Sequence, residues 1–131
     1  MHILPVPLDR VDEVMPRVVH WIARAIDASP DDDWTIDAAE HAIRTGSAAL
    51  WVAAENESHG ICLTEIDGQK ARIVMLAGRR MREWIDGITI VETWARAWQC
   101  RVLEVPGRAG WARVLRPYGY RPAGVQLEKV L

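Results

Sequence analysis

The sequence has no phenylalanine and only 2 tyrosines, so tryptophan supplies most of its large aromatic volume. The 131 residues include 7 tryptophans, at positions 21, 34, 51, 84, 94, 98 and 111. Half of the residues are hydrophobic and 26% are charged, close to the average of globular proteins. A chain of this length buries about two thirds of its surface on folding. We therefore predict a single domain over residues 1–131.

Cysteine is scarce as well, with only Cys62 and Cys100 and no CxxC pair. This excludes a disulfide-rich scaffold and favours two reduced, buried thiols in a cytoplasmic protein. No apolar run approaches the roughly 18 residues of a membrane helix, so we predict no membrane contact. The N-terminal stretch MHILPVPLDRVDE lacks the basic-then-apolar order of a secretion signal.

Familiar catalytic and metal-binding motifs are missing from the sequence. It contains no GxSxG, HExxH or Walker motif. The histidines show no ligand spacing, and we therefore predict no metal site; they are His2, His20, His41 and His59.

Charge is divided unevenly along the chain, although the net charge is only −2. Residues 1–65 carry 4 Lys/Arg and 12 Asp/Glu, whereas residues 66–131 carry 12 Lys/Arg and 6 Asp/Glu. If the halves form separate faces, the basic face suits a phosphorylated ligand, a nucleic acid or an acidic partner. Alternatively, the halves neutralise each other within the fold. The tryptophans of the second half fall on a buried helical stripe, which disfavours nucleic-acid binding.

The spacing of apolar residues predicts ten elements in the order β-α-α-β-β-β-α-β-α-β. Prolines at 5 and 7 place the first strand at a sheet edge, and Pro16 marks a kink or the start of the first helix. Period-two alternation predicts a three-stranded meander, and helical spacing then resumes at Met81. The predicted strands span 3–8, 48–55, 61–66, 71–76, 100–105 and 124–130, with a turn over 56–60. The strand–helix–strand unit near the middle predicts one parallel pair, and hence a mixed α/β sheet with helices on both faces.

This order of elements resembles the GNAT (Gcn5-related N-acetyltransferase) fold over essentially the whole chain. More particular signs are LWVA (50–53), WARAWQC (94–100), GRAGW (107–111) and YGY (118–120). Together they are similar to small GNAT-like proteins of phages and prophages. The resemblance implies acetyl-CoA or another acyl-CoA as cofactor, and an amine on a small molecule or protein as acceptor.

The resemblance also implies where the cofactor binds. In GNAT enzymes the fourth and fifth strands splay apart around the pantetheine arm, and a Q/R-x-x-G-x-G/A loop before the next helix holds the pyrophosphate. The matching segment is LAGRRMREWIDG (76–87), which implies backbone bonds from Leu76 and Ala77 to pantetheine. Counted from Arg79 or Arg80, neither register supplies the two glycines. Arg79, Arg80 and Arg82 are then the candidate phosphate ligands, and a solvated basic helix end is the alternative.

Candidate catalytic residues follow from the same resemblance. Glu65 and Glu104, both on predicted strands, are candidate general bases for an amine, and a surface ion pair is the alternative for each. Leu115 occupies the position at which many GNAT enzymes carry a general-acid tyrosine. Tyr118, on another side of the helix, is the substitute candidate, unless it only packs its ring and hydrogen-bonds its hydroxyl.

The loop after the predicted fifth strand supplies two candidates for substrate binding. Its glycines allow a tight turn that presents Arg108 at the mouth of the cleft, where ligands of α/β sheets collect. Alternatively, Arg108 pairs with Glu104. Trp111 then lies in the core or on the cleft wall.

Two functions remain open at this point. One is a cytoplasmic acyltransferase. The other is a non-catalytic GNAT-like protein with an assembly, virion or binding role, whose partners are phage structural proteins. The missing glycines favour the second slightly. Residues 121–131 leave room for one comfortable strand where GNAT enzymes have two, which suggests a homodimer in which a partner supplies the missing edge.

Overall fold

The computed structural model describes residues 1–29, 33–107, 109–124 and 126–131. The helices and strands are, in chain order, β1 (His2–Pro5), α1 (Val11–Asp27), α2 (Ile36–Thr45), β2 (Ala49–Glu55), β3 (Glu57–Asp67), β4 (Lys70–Gly78), α3 (Ile88–Ala97), β5 (Val102–Pro106), α4 (Ala109–Leu115), β6 (Arg121–Ala123) and β7 (Gln126–Val130). Short 3₁₀ turns cover Leu8–Arg10, Met81–Glu83, Ile85–Gly87 and Arg116–Tyr118.

The strands form one sheet in the order β1-β2-β3-β4-β5-β7-β6. The pairing of β4 with β5 is parallel, and the other pairings are antiparallel. The predicted mixed sheet, its meander and its parallel pair are therefore confirmed.

Helices pack on both faces of the sheet and create two cores. On what we call the α1 face, α1 and α2 cover buried residues that include Leu50, Ile61 and Met75. On the α3 face, α3 and α4 cover a larger set that includes Trp51 and Trp84. Each large side chain buried in this way contributes about 1.5–3 kcal/mol.

The predicted limits of α2 are confirmed by its caps. The Thr35 hydroxyl accepts a hydrogen bond from the Ala38 N–H at 3.1 Å, and Gly46 ends the helix with a φ of 80°. Helix α1 begins at Val11 and continues through Pro16, so the alternative in which the helix starts near the proline is wrong.

The turn predicted over residues 56–60 is too long. Asn56 adopts a left-handed conformation with a φ of 67°, so the chain reverses at this residue and β3 begins at Glu57. Asparagine tolerates this conformation better than most residues.

The helix predicted from Met81 starts later. Residues 81–87 form two 3₁₀ turns, and α3 begins only at Ile88. Trp84 explains the delay because its indole N–H donates to the Arg79 carbonyl at 2.8 Å and its ring packs against Gly60 and Gly78. The prediction that the tryptophans of this half are core residues fails at Trp98, which lies past the end of α3 and is 63% exposed.

The C-terminal segment contains two strands, so the prediction of a single strand is wrong. Gly124, with a φ of 65°, lies between β6 and β7. The sheet therefore has the second strand that a partner chain was expected to supply, and this reason for a homodimer no longer holds.

Candidate functional site

The strands β4 and β5 separate after a short paired region. Their parallel register consists of Lys70–Val102, Ala71–Leu103 and Arg72–Glu104, although β4 runs on to Gly78 and β5 to Pro106. In the ladder with β3, Thr64 pairs with Ile73 and Leu63 pairs with Met75, which leaves Val74 as one extra residue in β4. Such a bulge interrupts a regular ladder, and it lies two residues beyond Arg72, the last residue of β4 that pairs with β5.

A cleft of about 470 Å³ lies at the open end of this strand pair. This volume is within the range of small-molecule sites, about 300–1,000 Å³. Three of the residues predicted from the sequence line it together, namely Leu76, Ala77 and Trp111. Arg108, the remaining candidate for substrate binding, lies outside the described residues.

The last turn of α1 adds two charged residues to the cleft that the sequence analysis missed. Arg24 and Asp27 line it opposite β4, and the Arg24 guanidinium lies 5.0 Å from the centroid of the Trp21 ring. Arg24 is one of only 4 Lys/Arg in residues 1–65. A cation in the last turn of an amphipathic helix within an acidic half was the signal that could have identified it.

The two candidate bases belong to a charged row at the closed end of the strand pair. Arg72 is the register partner of Glu65 on β3 and of Glu104 on β5. Its Nε lies 3.2 Å from Glu104 Oε1, and its Nη1 lies 3.5 Å from Glu65 Oε1. Lys70 Nζ adds a third contact, 3.4 Å from Glu104 Oε1. Arg72 therefore fixes both carboxylates, and the Glu104 side chain is only 11% exposed.

Tyr118 lies apart from this row. It ends a 3₁₀ turn and packs, half-buried, against the core of the α3 face. Among the described residues, those that line the cleft do not include Tyr118, Glu65 or Glu104. Their catalytic roles remain predictions.

A buried polar network beneath α3 was not anticipated. The hydroxyl of Tyr120 donates to Glu92 Oε2 at 2.7 Å, and Lys129 Nζ donates to Glu92 Oε1 at 3.1 Å. Burial, followed by the hydrogen bond to the Glu92 carboxylate, raises the pKa of Tyr120 far above its usual value. Glu92 lies four residues after Ile88 and three before Ala95, on the apolar stripe of the helix, which was the available sequence signal.

The three candidate phosphate ligands have different surroundings. Arg79 forms an ion pair with Glu57, and Arg80 donates to Glu83 Oε1 at 2.7 Å. Arg82 is exposed and has no ion pair with any residue that the structure describes. Two of the three cations are thus already paired with carboxylates.

The start of α3 packs against β1. A Cβ on Gly87, the residue before the helix, would be 2.2 Å from Ile3 Cγ2 on β1, and β1 is separated from β4 by two strands. The Gly87 N–H donates to the Trp84 carbonyl at 3.0 Å, and the Ile88 N–H also bonds within the 3₁₀ turn. Counted from Arg82, the glycine-loop pattern does end on Gly87, a register that the sequence analysis missed. Ile3 occupies the space beside it, so Gly87 serves packing.

The two cysteines do not line the cleft. Cys62 and Cys100 are free and buried, and burial raises the pKa of the Cys62 thiol. The described ranges contain no group of three or more His, Cys, Asp or Glu side chains that could hold a metal ion. Within the same ranges, no helix combines the length and apolar character that a membrane crossing requires.

The sequence matches no protein-family model and no curated protein. Solved structures do resemble it. Aminoglycoside 6'-acetyltransferase type Ii is 10% identical and aligns with a TM-score of 0.76 over 99% of this chain and 97% of its own. The PaiA N-acetyltransferase from Thermoplasma acidophilum, in complex with coenzyme A, is 8% identical with a TM-score of 0.65 over 98% of each chain.

A GNAT family acetyltransferase from Elizabethkingia anophelis with acetyl-CoA bound is 15% identical, with a TM-score of 0.66 over 98% of this chain and 97% of its own. At these identities the likeness concerns the fold. The mixed seven-stranded sheet, the separating parallel pair and these alignments along whole chains show that this protein has the GNAT acetyltransferase fold.

Proposed function

We propose that the protein binds an acyl-CoA in the cleft beside the end of β4 and transfers the acyl group to an amine. The observation that carries this proposal is the cleft of about 470 Å³ that the end of β4 lines, beyond its three register pairs with β5. The similar structures support this proposal, since two of them contain coenzyme A or acetyl-CoA.

The cleft suits the pantetheine arm of such a cofactor. Pantetheine is an extended chain with two amide groups, and it pairs well with the backbone of a strand. Leu76, Ala77 and Gly78 present strand backbone along one wall, and Trp111 adds an apolar surface. These residues would hold the arm.

The pyrophosphate requires a different solution from the usual glycine loop. Ile3 fills the space beside Gly87, and the N–H groups before α3 bond within the 3₁₀ turn. Arginine side chains would therefore bind the phosphates, with Arg82 and the cleft residue Arg24 as the first candidates. Binding through exposed side chains makes the affinity strongly dependent on salt.

The chemistry of transfer assigns roles to the charged row. A bound acyl-CoA supplies the thioester. Glu104, at the point where the strands part, would take the proton from the attacking amine through a water, with Glu65 as the second candidate. Arg72 would orient both carboxylates. Tyr118 is the candidate for returning a proton to the departing sulfur.

A second candidate function is a non-catalytic role for the same fold, in phage assembly or in the virion with phage structural proteins as partners. The specific observation that favours it is the packing of Gly87 against Ile3, because a glycine that serves packing agrees with the degenerate pyrophosphate loop expected from the sequence. The enzyme would act in the cytoplasm, whereas this alternative would also associate with virions. A homodimer is compatible with either role, and light scattering would measure it.

Thermal denaturation with acetyl-CoA tests the first candidate. Ligand at 100 times its dissociation constant stabilises a protein by about 2.7 kcal/mol, a shift of several degrees for a domain of this size. Arg24→Glu and Arg82→Glu should each reduce the shift. Arg101→Glu, an exposed arginine in the loop between α3 and β5, is the matched control.

The release of free thiol from acetyl-CoA, measured with a panel of amines, separates the two candidates. Transfer that falls with Glu104→Gln while the thermal shift persists supports the enzyme. A thermal shift without thiol release supports the non-catalytic role, and no shift at millimolar acetyl-CoA contradicts acyl-CoA binding altogether.

A further inference from the structure

A second, larger concave surface lies on the α1 face, beside the outer edge of the sheet. It has a volume of about 1070 Å³ and is bounded by α1 on one side and by β1, β2 and the start of β3 on the other. Its floor consists of aliphatic side chains, namely Leu4, Val6, Val14, Val52 and Ala54. Leu4 and Val52 are register partners, and Leu4 is 59% exposed. We call this surface the edge groove.

Arginines of α1 and of the turn before it line one side of the edge groove. Arg10 ends the 3₁₀ turn that precedes the helix, and Arg17 and Arg24 follow at intervals of seven residues. Seven residues advance a helix by about 10 Å, so the three cations extend over about 20 Å on one side of α1. They are three of the only 4 Lys/Arg in residues 1–65, a segment with 12 Asp/Glu. The few cations of an acidic half are therefore concentrated along one groove.

These cations are only partly neutralised. Arg10 forms an ion pair with Glu13 at 2.9 Å. Arg17 and Arg24 have no ion pair with the residues that the structure describes, although the Arg24 guanidinium stacks on Trp21. Arg79, at the far end of the groove, pairs with Glu57. The groove thus combines an aliphatic floor with a basic margin, in which two arginines form no ion pair with a described residue.

This combination suits an extended polypeptide that alternates acidic and aliphatic side chains. About six residues of extended chain, at about 3.3 Å each, match the length of the arginine row. Aliphatic side chains would contact the floor, and carboxylates would reach the arginines. A single-stranded nucleic acid fits less well because its bases need exposed aromatic rings, and Trp21, the tryptophan in the lining, is 3% exposed with its indole N–H bonded to Ser58 Oγ at 3.2 Å.

We propose that the edge groove binds an extended acidic segment of a partner polypeptide. This interaction is separate from the proposed acyl transfer. Its lining shares Arg24 with the cleft, but the floor, Arg10 and Arg17 belong to the groove and do not line the cleft. Binding of the segment requires neither an acyl group nor an acceptor amine.

Fluorescence anisotropy with a labelled octapeptide of alternating glutamate and leucine tests the proposal. The peptide is acetylated at its N-terminus and contains no lysine, so it cannot accept an acyl group. We expect saturable binding that weakens with salt. Arg17→Glu should weaken it about tenfold, since it replaces an attraction with a like charge. Leu4→Ser should also weaken it, and Arg101→Glu should leave it unchanged.

Three outcomes would overturn the proposal. They are failure of the wild-type protein to bind the peptide, equal weakening by Arg17→Glu and Arg101→Glu, and equally tight binding of an octapeptide of alternating serine and leucine. Tighter binding of an oligothymidylate than of the acidic peptide would replace it with a nucleic-acid site. The thermal shift with acetyl-CoA, measured on Arg17→Glu, separates failure of this proposal from failure of the proposed acyl-CoA binding.

Discussion

The two faces of the sheet are covered to different extents, and β2 shows the contrast within a single strand. Its residues Trp51 and Ala53 point into the α3 face and are fully buried. Leu50, Val52 and Ala54 point to the α1 face, where burial declines along the strand from full to partial to none. The α3 face therefore contributes mainly to stability, whereas the uncovered part of the α1 face is available for binding.

Truncation of Trp84, which lies between two 3₁₀ turns, should lower the free energy of unfolding the most. Trp84 is 1% exposed and packs on two glycines of the sheet. Trp84→Ala should lower the free energy of unfolding by about 4 kcal/mol in a denaturant titration. Trp98→Ala, a tryptophan of the same size at 63% exposure, should change it by no more than about 0.5 kcal/mol. Similar losses for the two variants would contradict the assignment of Trp84 to the core.

Glu92 should be the next most sensitive position. Glu92→Ala leaves the Tyr120 hydroxyl and the Lys129 ammonium without their carboxylate. Because Lys129 is 26% exposed and can turn to solvent, we expect the free energy of unfolding to fall by about 2–3 kcal/mol. This is less than the largest losses known for broken buried ion pairs. Glu13→Ala, which breaks the exposed pair with Arg10, should lower the free energy of unfolding far less, because solvent screens the pair. If the two variants lowered the free energy of unfolding equally, the contrast between the buried network under α3 and the exposed pair on the α1 side would be wrong.

The smallest expected effect is the loss of stability that Tyr120 causes at alkaline pH. The folded protein holds the pKa of Tyr120 above its unfolded value of about 10. The stabilisation of the folded state that this difference provides is therefore fully present below pH 10. It is lost as the pH rises further, because only the unfolded chain releases the proton. The free energy of unfolding should then fall by about 1.4 kcal/mol per pH unit.

Tyr120→Phe isolates this slope. The buried Cys62 thiol, whose pKa is also raised, adds a similar slope from about pH 8.5 in the wild type and in the variant alike. The difference between their denaturant titrations at pH 9, 10 and 11 therefore reports Tyr120 alone. Parallel pH profiles would show that the hydroxyl ionises in the folded protein.

Elements with strong local signals could be predicted from the sequence. The meander has period-two alternation, and α2 has Thr35 and Gly46 as caps, so the local sequence and the fold agree. The start of α3 was predicted wrongly because 3₁₀ turns also repeat apolar residues every three positions. Met81, Trp84 and Ile85 therefore continue a helical pattern without forming an α-helix.

Features formed by distant residues were harder to predict. Tyr120 and Lys129 meet Glu92 across 28 and 37 positions of sequence, and no spacing rule connects them. The edge groove similarly depends on the packing of α1 beside β1 and β2, although the seven-residue spacing of its arginines was visible. Arg72 was overlooked because its role comes from a register shared by three strands.

Val74 is the extra residue that changes the alternation of side chains along β4. Before it, Ala71 and Ile73 point to the α3 face; after it, Met75 and Ala77 point to the α1 face. Deleting this one residue would leave these orientations unchanged and would make the ladder regular, because Ile73 and Met75 already pair with adjacent residues of β3. The bulge is thus encoded by the number of backbone units rather than by any side chain. Such a feature does not depend on particular side chains, which suits a chain that shares its fold with structures to which it is only 8–17% identical.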